Sequence, residues 1–480
     1  MLLSRAKYFI SYNFLIVFLS SLVFKAFPLH GDERPNFVVI LCDDLGYGDI
    51  SCYGNKIIKT PNIDRLASQG IRFTDYYSPS PVCSPSRVGL LTGRTPNRAG
   101  IYDWIPSGTQ FHLEEKEFTI PKMLKRVGYA TCMSGKWHCN GKFNKKSQPQ
   151  PGDFGFDHWF ATQNNAAPSH RNPKNFVRNG EGVGELEGFS CRIVAEEANR
   201  WIENHVIENP DQPFFTFIAF HEPHEPISSP ESMISNYPNA QKKGEALYYA
   251  NVENMDFAVG MIMDCLNRNK VAENTLVIFT SDNGPETLNR YGGAWRSHGS
   301  PGDLRGMKLH THEAGIRVPG VMRWPLQIKA GQVSDEPVNS LDLMPTFANL
   351  AAGEIPIDIQ LDGTDIVNAF GKDEVIRKRP MFWCYYSALN KSKVALRDGN
   401  WKLLASLKSK NDKYLKIRSL NKSNYDLVKT ARLVDFELYD IGNDNDELLN
   451  LVDKNHDEFK RLSEAMRMMF DEVLKDSKIW

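Results

Sequence analysis

Four short apolar runs in this chain each break off in polar, reactive residues, and nothing else in the sequence restricts its fold so tightly. Residues 36–42 (Asn-Phe-Val-Val-Ile-Leu-Cys) run into Asp43-Asp44, and residues 129–133 into Ser134-Gly135-Lys136-Trp137-His138. Residues 213–220 run into His221-Glu222-Pro223-His224, and residues 275–281 into Asp282-Asn283-Gly284. Helical-looking stretches lie between them. The alternation predicts an α/β fold, a mostly parallel sheet between layers of helices. Ligands of such sheets bind beyond the carboxyl ends of the strands. One rim should therefore collect carboxylates, an amide, a lysine and histidines.

Beyond Ala351-Ala352-Gly353 the texture changes. A loop with Pro356 and Gly363 leads to strand-like segments at 382–386, 394–396, 401–405 and 436–439, then to an amphipathic final helix at 457–474. We expect a smaller C-terminal α+β domain with an antiparallel sheet, residues 371–480, packed on a larger catalytic domain, residues 32–370. A chain of 480 residues exceeds what one core usually supports. The lysine-rich stretch 408–432 reads as a solvated loop, with contact to a polyanionic substrate as the alternative.

Charge nearly cancels, 57 Lys+Arg against 58 Asp+Glu. That excludes a protein that grips nucleic acid by neutralising many phosphates, so any anion must be bound locally. Residues 1–31 carry Arg5 and Lys7, an apolar run at 14–24, then Lys25-Ala26-Phe27-Pro28. This is the order of a secretory signal peptide; a signal anchor is the alternative, because residues 8–24 reach the length of a short span. The expected location is periplasmic or extracellular, or lysosomal or secretory in a eukaryote. No later segment is apolar enough to span a bilayer, so no stable membrane embedding is expected beyond the signal. Eight cysteines are too sparse for a disulfide framework, although export would permit one or two bridges.

The sharpest segment is Cys83-Ser84-Pro85-Ser86-Arg87, continuing to Leu91-Thr92-Gly93-Arg94. Ser84 suits a helix cap, Pro85 its first turn and Gly93 its end, which places Cys83 at a helix N-terminus. Such an end carries partial positive charge and free N–H groups, a seat for an oxyanion. The bland reading is a buried small hydrophobe in a proline-marked turn. Asp43, Asp44, Asp282 and Asn283 form an all-oxygen set at two strand ends, and hard oxygen donors select calcium or magnesium over zinc.

At these residues the chain resembles the type I, formylglycine-dependent sulfatases, whose signature is Cys-x-Pro-Ser-Arg followed by Leu-Thr-Gly-Arg. The resemblance spans about residues 36–346, with weaker similarity through Leu396-Arg397-Asp398-Gly399, and implies an alkaline-phosphatase-like core. It implies that a maturation enzyme oxidises Cys83 to formylglycine, and that one Ca2+ is held by Asp43, Asp44, Asp282, Asn283 and the modified Cys83. Gly-Lys-Trp-His at Lys136 and His138, Pro-His-x-Pro at His224, and Leu-Arg-Gly-Met-Lys at Lys308 also match. By similarity Arg87 and Lys136 hold the formylglycine, His138 is the base when sulfate is expelled, and His224 and Lys308 bind sulfate oxygens. One departure is His310-Thr311-His312 before Glu313-Ala314-Gly315, where relatives more often carry non-histidine residues and Glu-Gly-Gly.

The resemblance implies a sulfated carbohydrate substrate, with sulfated galactose or N-acetylgalactosamine units as the first expectation. Tyr102, Trp104, Trp137, Trp159 and Trp295 are placed to stack on sugar rings or to fill a core. His298, His310 and His312 are further subsite candidates. A phosphatase or phosphonate hydrolase on the same fold is the rival reading, and a non-catalytic glycan-binding relative a third.

Overall fold

Each of the four apolar runs forms a strand. In the computed structural model these are β1 (Asn36–Asp43), β2 (Ala130–Lys136), β3 (Phe214–Pro223) and β4 (Thr275–Ser281). The structure describes residues 34–287, 290–371 and 373–480; the expected leader at 1–31 lies outside them. The four strands are spatial neighbours in the order β4-β1-β3-β2, all parallel, at the centre of a ten-stranded mixed sheet. Antiparallel Gly320–Arg323 flanks β4, and parallel His158–Thr162 flanks β2.

The strands read as continuous apolar runs because both faces are covered. Phe37, Val39 and Leu41 enter one core with Leu90 and Leu91 of helix Cys83–Thr92 and with Met344 and Phe347 of helix Leu343–Ala351. Val38, Ile40 and Cys42 enter another, against Val194 of helix Ser190–Glu208 and Val259 of helix Glu245–Arg268. Near the rim the β1–β3 register slips: Leu41 pairs with Ala219 but Asp43 with Pro223. Irregularities of this kind re-aim side chains beside binding sites.

The C-terminal strands also form, as β5 (Met381–Cys384), β6 (Val394–Asp398), β7 (Trp401–Lys408) and β8 (Arg432–Asp440). They make a separate antiparallel sheet in chain order, and helix His456–Asp476 buries Leu462, Met466 and Phe470 against it. Between β7 and β8 the lysine-rich stretch keeps most of its cations in water, but Leu415, Leu420 and Val428 anchor it in the core.

A buried polar network ties this sheet to the main body. Arg397 donates to Asp75 at 2.6 Å, and Arg317 donates to Asp75 at 2.9 Å and to Glu313 at 3.2 Å. Lys402 donates to Glu313 at 2.7 Å and sits 2.9 Å from Glu447, while Tyr77 donates to Glu313 at 2.6 Å. Among the described residues no helix is long and apolar enough to cross a membrane.

Candidate active site

Every expected rim residue lies at, or just past, a strand's carboxyl end. Asp43 and Lys136 close β1 and β2; Asp44, His138, His224 and the Asp282-Asn283 pair follow β1 to β4. Asp44 (φ 66°), His138 (φ 53°) and Leu309 (φ 67°), the residue after Lys308, take left-handed backbone conformations. Such residues tend to cluster at functional sites, where packing holds them against the strain.

Cys83 is the first residue of its helix, 3 % exposed, and Gly93 ends that helix at φ 67° as expected. The cap differs from expectation. Val82 is the N-cap, so the helix starts one residue early and Ser84 falls inside its first turn. The Ser84 hydroxyl instead accepts from the Ile105 N–H at 3.0 Å.

Three carboxylates face three cations in this pocket. Lys136 Nζ donates to Asp43 Oδ2 at 2.5 Å, Lys308 Nζ to Asp44 Oδ2 at 2.7 Å, and Arg87 Nε to Asp282 Oδ2 at 2.9 Å. Arg87 also donates to the Lys136 carbonyl at 2.8 Å, and Asn283 Nδ2 to Asp44 Oδ1 at 2.7 Å. His224 Nε2 lies 3.7 Å from Asp44 Oδ2. Burial opposes ionisation of Asp43, yet Lys136 foremost holds it well below the usual carboxylate range. Asp282 goes the other way, pushed up to about 7 by burial and by Asp43.

Burial, then Lys136 and Arg87, keep His138 well below the ordinary imidazole value, so the ring is neutral. Its Nε2 is 3.2 Å from the Ile105 carbonyl, which only a protonated nitrogen can satisfy. Nδ1 therefore keeps a bare lone pair, buried and without a partner. Burial and Lys308 likewise lower His224, to about 4. The Cys83 thiol is pushed up to about 11 by burial, Lys136 and Lys308 only partly offsetting it. Unmodified, it is a poor nucleophile at neutral pH.

The pocket suits a hard cation. Asp43 Oδ1 and Asn283 Oδ1 are buried acceptors with no hydrogen-bond partner, a costly arrangement that a cation would relieve. Asp43, Asp44 and His224 each offer a ligand atom within 4.8 Å of one another. Burial, which pushes Asp282 up to about 7, is a cost to its charged form that a cation would offset.

The profile of the family described as Sulfatase matches residues 35–354, two thirds of the chain, and that of "N-sulphoglucosamine sulphohydrolase, C-terminal" matches residues 307–476. The chain belongs to the sulfatase family. It is thus a sulfuric ester hydrolase. Human arylsulfatase A is 35% identical to this sulfatase over 392 residues, 77% of this chain and 74% of the relative. Rat N-acetylgalactosamine-6-sulfatase is 34% identical over 376 residues, 73% and 68%. A solved structure described as Ps i-CgsB in complex with k-i-k-neocarrahexaose is 29% identical, with a TM-score of 0.76, and covers 93% of this chain and 94% of its own.

The sulfatase's remaining candidates separate. Trp137 and Trp159 are buried in the core, where no sugar reaches them, and Tyr102 is buried with its hydroxyl on the Lys478 carbonyl. Trp104 is 41 % exposed. Trp295 lies under Lys243 and Arg296, and His298 is held by the carbonyls of Lys243 and Trp295. His310 and His312 stand 5.8 Å apart, and burial, then Arg305 and Lys402, lower His312 to about 2. Sequence reasoning missed Tyr385, which packs with Val82 and Cys83 and donates to Asp103 at 3.0 Å. It belongs to an aromatic run that reads as an ordinary strand. The Ile105 carbonyl, a backbone group, had no sequence signal at all.

Proposed function

We propose that this sulfatase cleaves sulfate monoesters on saccharides, with formylglycine made from Cys83 as nucleophile and one Ca2+ at the Asp43, Asp44, Asp282 and Asn283 oxygens. The carrying observation is the company Cys83 keeps: a helix N-terminus, three cations and buried oxygen acceptors left without partners. When present, formylglycine hydrate would supply two hydroxyls, a nucleophile for sulfur and a proton whose loss would release sulfate, and a cation held by the Asp43, Asp44, Asp282 and Asn283 oxygens would supply positive charge.

The chain's own groups do the rest. Arg87 and Lys136, fixed on Asp282 and Asp43, hold positive charge beside residue 83. The bare Nδ1 of neutral His138 is set to take a proton. Lys308 and His224, both beside Asp44, are placed to grip the sulfate and steady the leaving oxygen. A saccharide substrate is supported by two similar proteins, one named an N-acetylgalactosamine-6-sulfatase and one described in complex with a neocarrahexaose. Export accords with the leader-like residues 1–31.

The test combines three measurements on protein made alongside a maturation enzyme. Peptide mass should show residue 83 without sulfur and with an aldehyde oxygen, elemental analysis one calcium per chain, and assays release of sulfate from defined sulfated saccharides. Activity with wholly unmodified Cys83 would overturn the nucleophile, and stoichiometric zinc would overturn the metal. A preference for phosphate esters would restore the phosphatase reading.

A further inference from the structure

Beside the site lies a second cleft, about 140 Å³, whose walls include Asp103, Trp104, Ile105, Arg418 and Ser419. That is about ten times the room one water needs, so it admits a charged substituent rather than solvent alone. It is built into the reacting centre. Ile105 receives the His138 ring through its carbonyl and binds Ser84 through its N–H. Asp103 accepts from Tyr385, which packs on Cys83.

Arg418 comes from the lysine-rich stretch, and the chain holds it in place on both sides. Leu415 N donates to the Leu407 carbonyl, the Ile417 carbonyl accepts from Ser387, and the Leu420 carbonyl accepts from Trp480 N. Among the described residues the Arg418 guanidinium makes no hydrogen bond or ion pair. Asp103 lines the cleft with it; burial pushes that carboxyl upward, and hydrogen bonds from Trp104 and Tyr385, with a smaller pull from Arg418, oppose the rise.

We propose that this cleft is a subsite for an oxyanion, sulfate or uronate carboxylate, on the sugar next to the one being desulfated. The Arg418 fork pairs with the oxyanion, and the exposed face of Trp104 packs on the ring that carries it. The substrate is then at least a disaccharide with charge on both units. This rests on the saccharide reading above.

The experiment compares kcat/KM for four compounds: an aryl sulfate, a monosulfated neutral disaccharide, and the same disaccharide bearing a second sulfate or a uronate on the neighbouring unit. Wild type should prefer one or both of the doubly charged compounds at least tenfold over the neutral one, and the better of the two identifies the oxyanion. In Arg418→Ala the ratio of doubly charged disaccharide to aryl sulfate should fall at least tenfold, mostly through KM, with Arg418→Lys recovering part. Lys410→Ala, on the same stretch but outside the cleft, controls for loss of charge. No preference in wild type, or an unaltered ratio in Arg418→Ala, overturns the subsite while leaving the saccharide reading intact. Failure of wild type to cleave any of the four overturns that reading and the subsite with it.

Discussion

Two buried charge clusters in this molecule invite comparison. At the interface between the sheets, each carboxylate oxygen of Asp75, Glu313 and Glu447 lies within 3.2 Å of a donor. At the rim, Asp43 Oδ1 is 3.9 Å from the nearest guanidinium nitrogen and Asn283 Oδ1 has no partner. Each cluster pushes one carboxyl up to about 7, Asp282 and Glu447, burial being the first cause in both. At the interface Glu447 Oε1 accepts no hydrogen bond either, but the Lys402 ammonium stands 2.9 Å from it, whereas Arg87 stops 3.9 Å short of Asp43 Oδ1. Charge in close contact holds parts together; charge held apart leaves room for a ligand.

The sharpest way to break the comparison is Asp282→Asn. Activity should fall on the order of 10³-fold, because the proposed cation loses a carboxylate's charge. Stability should not fall with it. A carboxyl at about 7 in the folded state but about 3.9 unfolded binds its proton more tightly when folded, so its contribution falls as pH rises from about 4 to about 7. The variant removes that penalty, so after chelation at pH 8 it should melt no lower than wild type. A drop of several degrees would mean the rim carboxylate is structural.

Lys402→Met is the mirror experiment. It strands Glu313 and Glu447 in the interior and should cost about 3–5 kcal/mol in denaturant unfolding, while kcat per folded molecule holds. Loss of kcat without loss of stability would dissolve the distinction. His138→Ala asks whether a bare atom without charge also belongs to the chemistry. Turnover should slow on the order of 10²-fold, with a stoichiometric burst of alcohol before the slow phase. Absence of a burst would put His138 in the first step.

The smallest effect lies outside both clusters. Glu472 is 37 % exposed; burial opposes its ionisation, but Arg379 and Arg98 hold it down to about 2. Its folded value is below the unfolded one, so its stabilisation is present above about pH 4.3 and disappears as pH falls toward 2. Glu472→Gln should cost within about 1 kcal/mol at pH 7, and its melting curve should converge on wild type in acid.

Much of the rim was legible in the sequence because strand ends there are abrupt. The fourth run, residues 275–281, coincides with β4, and the other three ends shift by one to three residues. The antiparallel strands of the second sheet were legible too, through turns such as Gly399-Asn400 between Asp398 and Trp401, where Gly399 supplies φ 56°. Three-dimensional juxtaposition was not. Tyr385 reaches Cys83, and Arg418 the cleft, only because a distant sheet carries them there. Of the two roles open to Trp137 and Trp159 the structure takes the commoner one, filling the core, and sequence proximity to catalytic candidates could not decide between them.

Burial of Cys83 also sets a timetable. The thiol is 3 % exposed at the head of a helix in which every residue is buried. On the proposed formylglycine chemistry, an oxidising enzyme would have to reach that thiol before the helix and its surroundings close over it. Maturation would then compete with folding during biosynthesis. A chain that folds first would be sealed in its thiol form, so specific activity would report how that race was run, batch by batch.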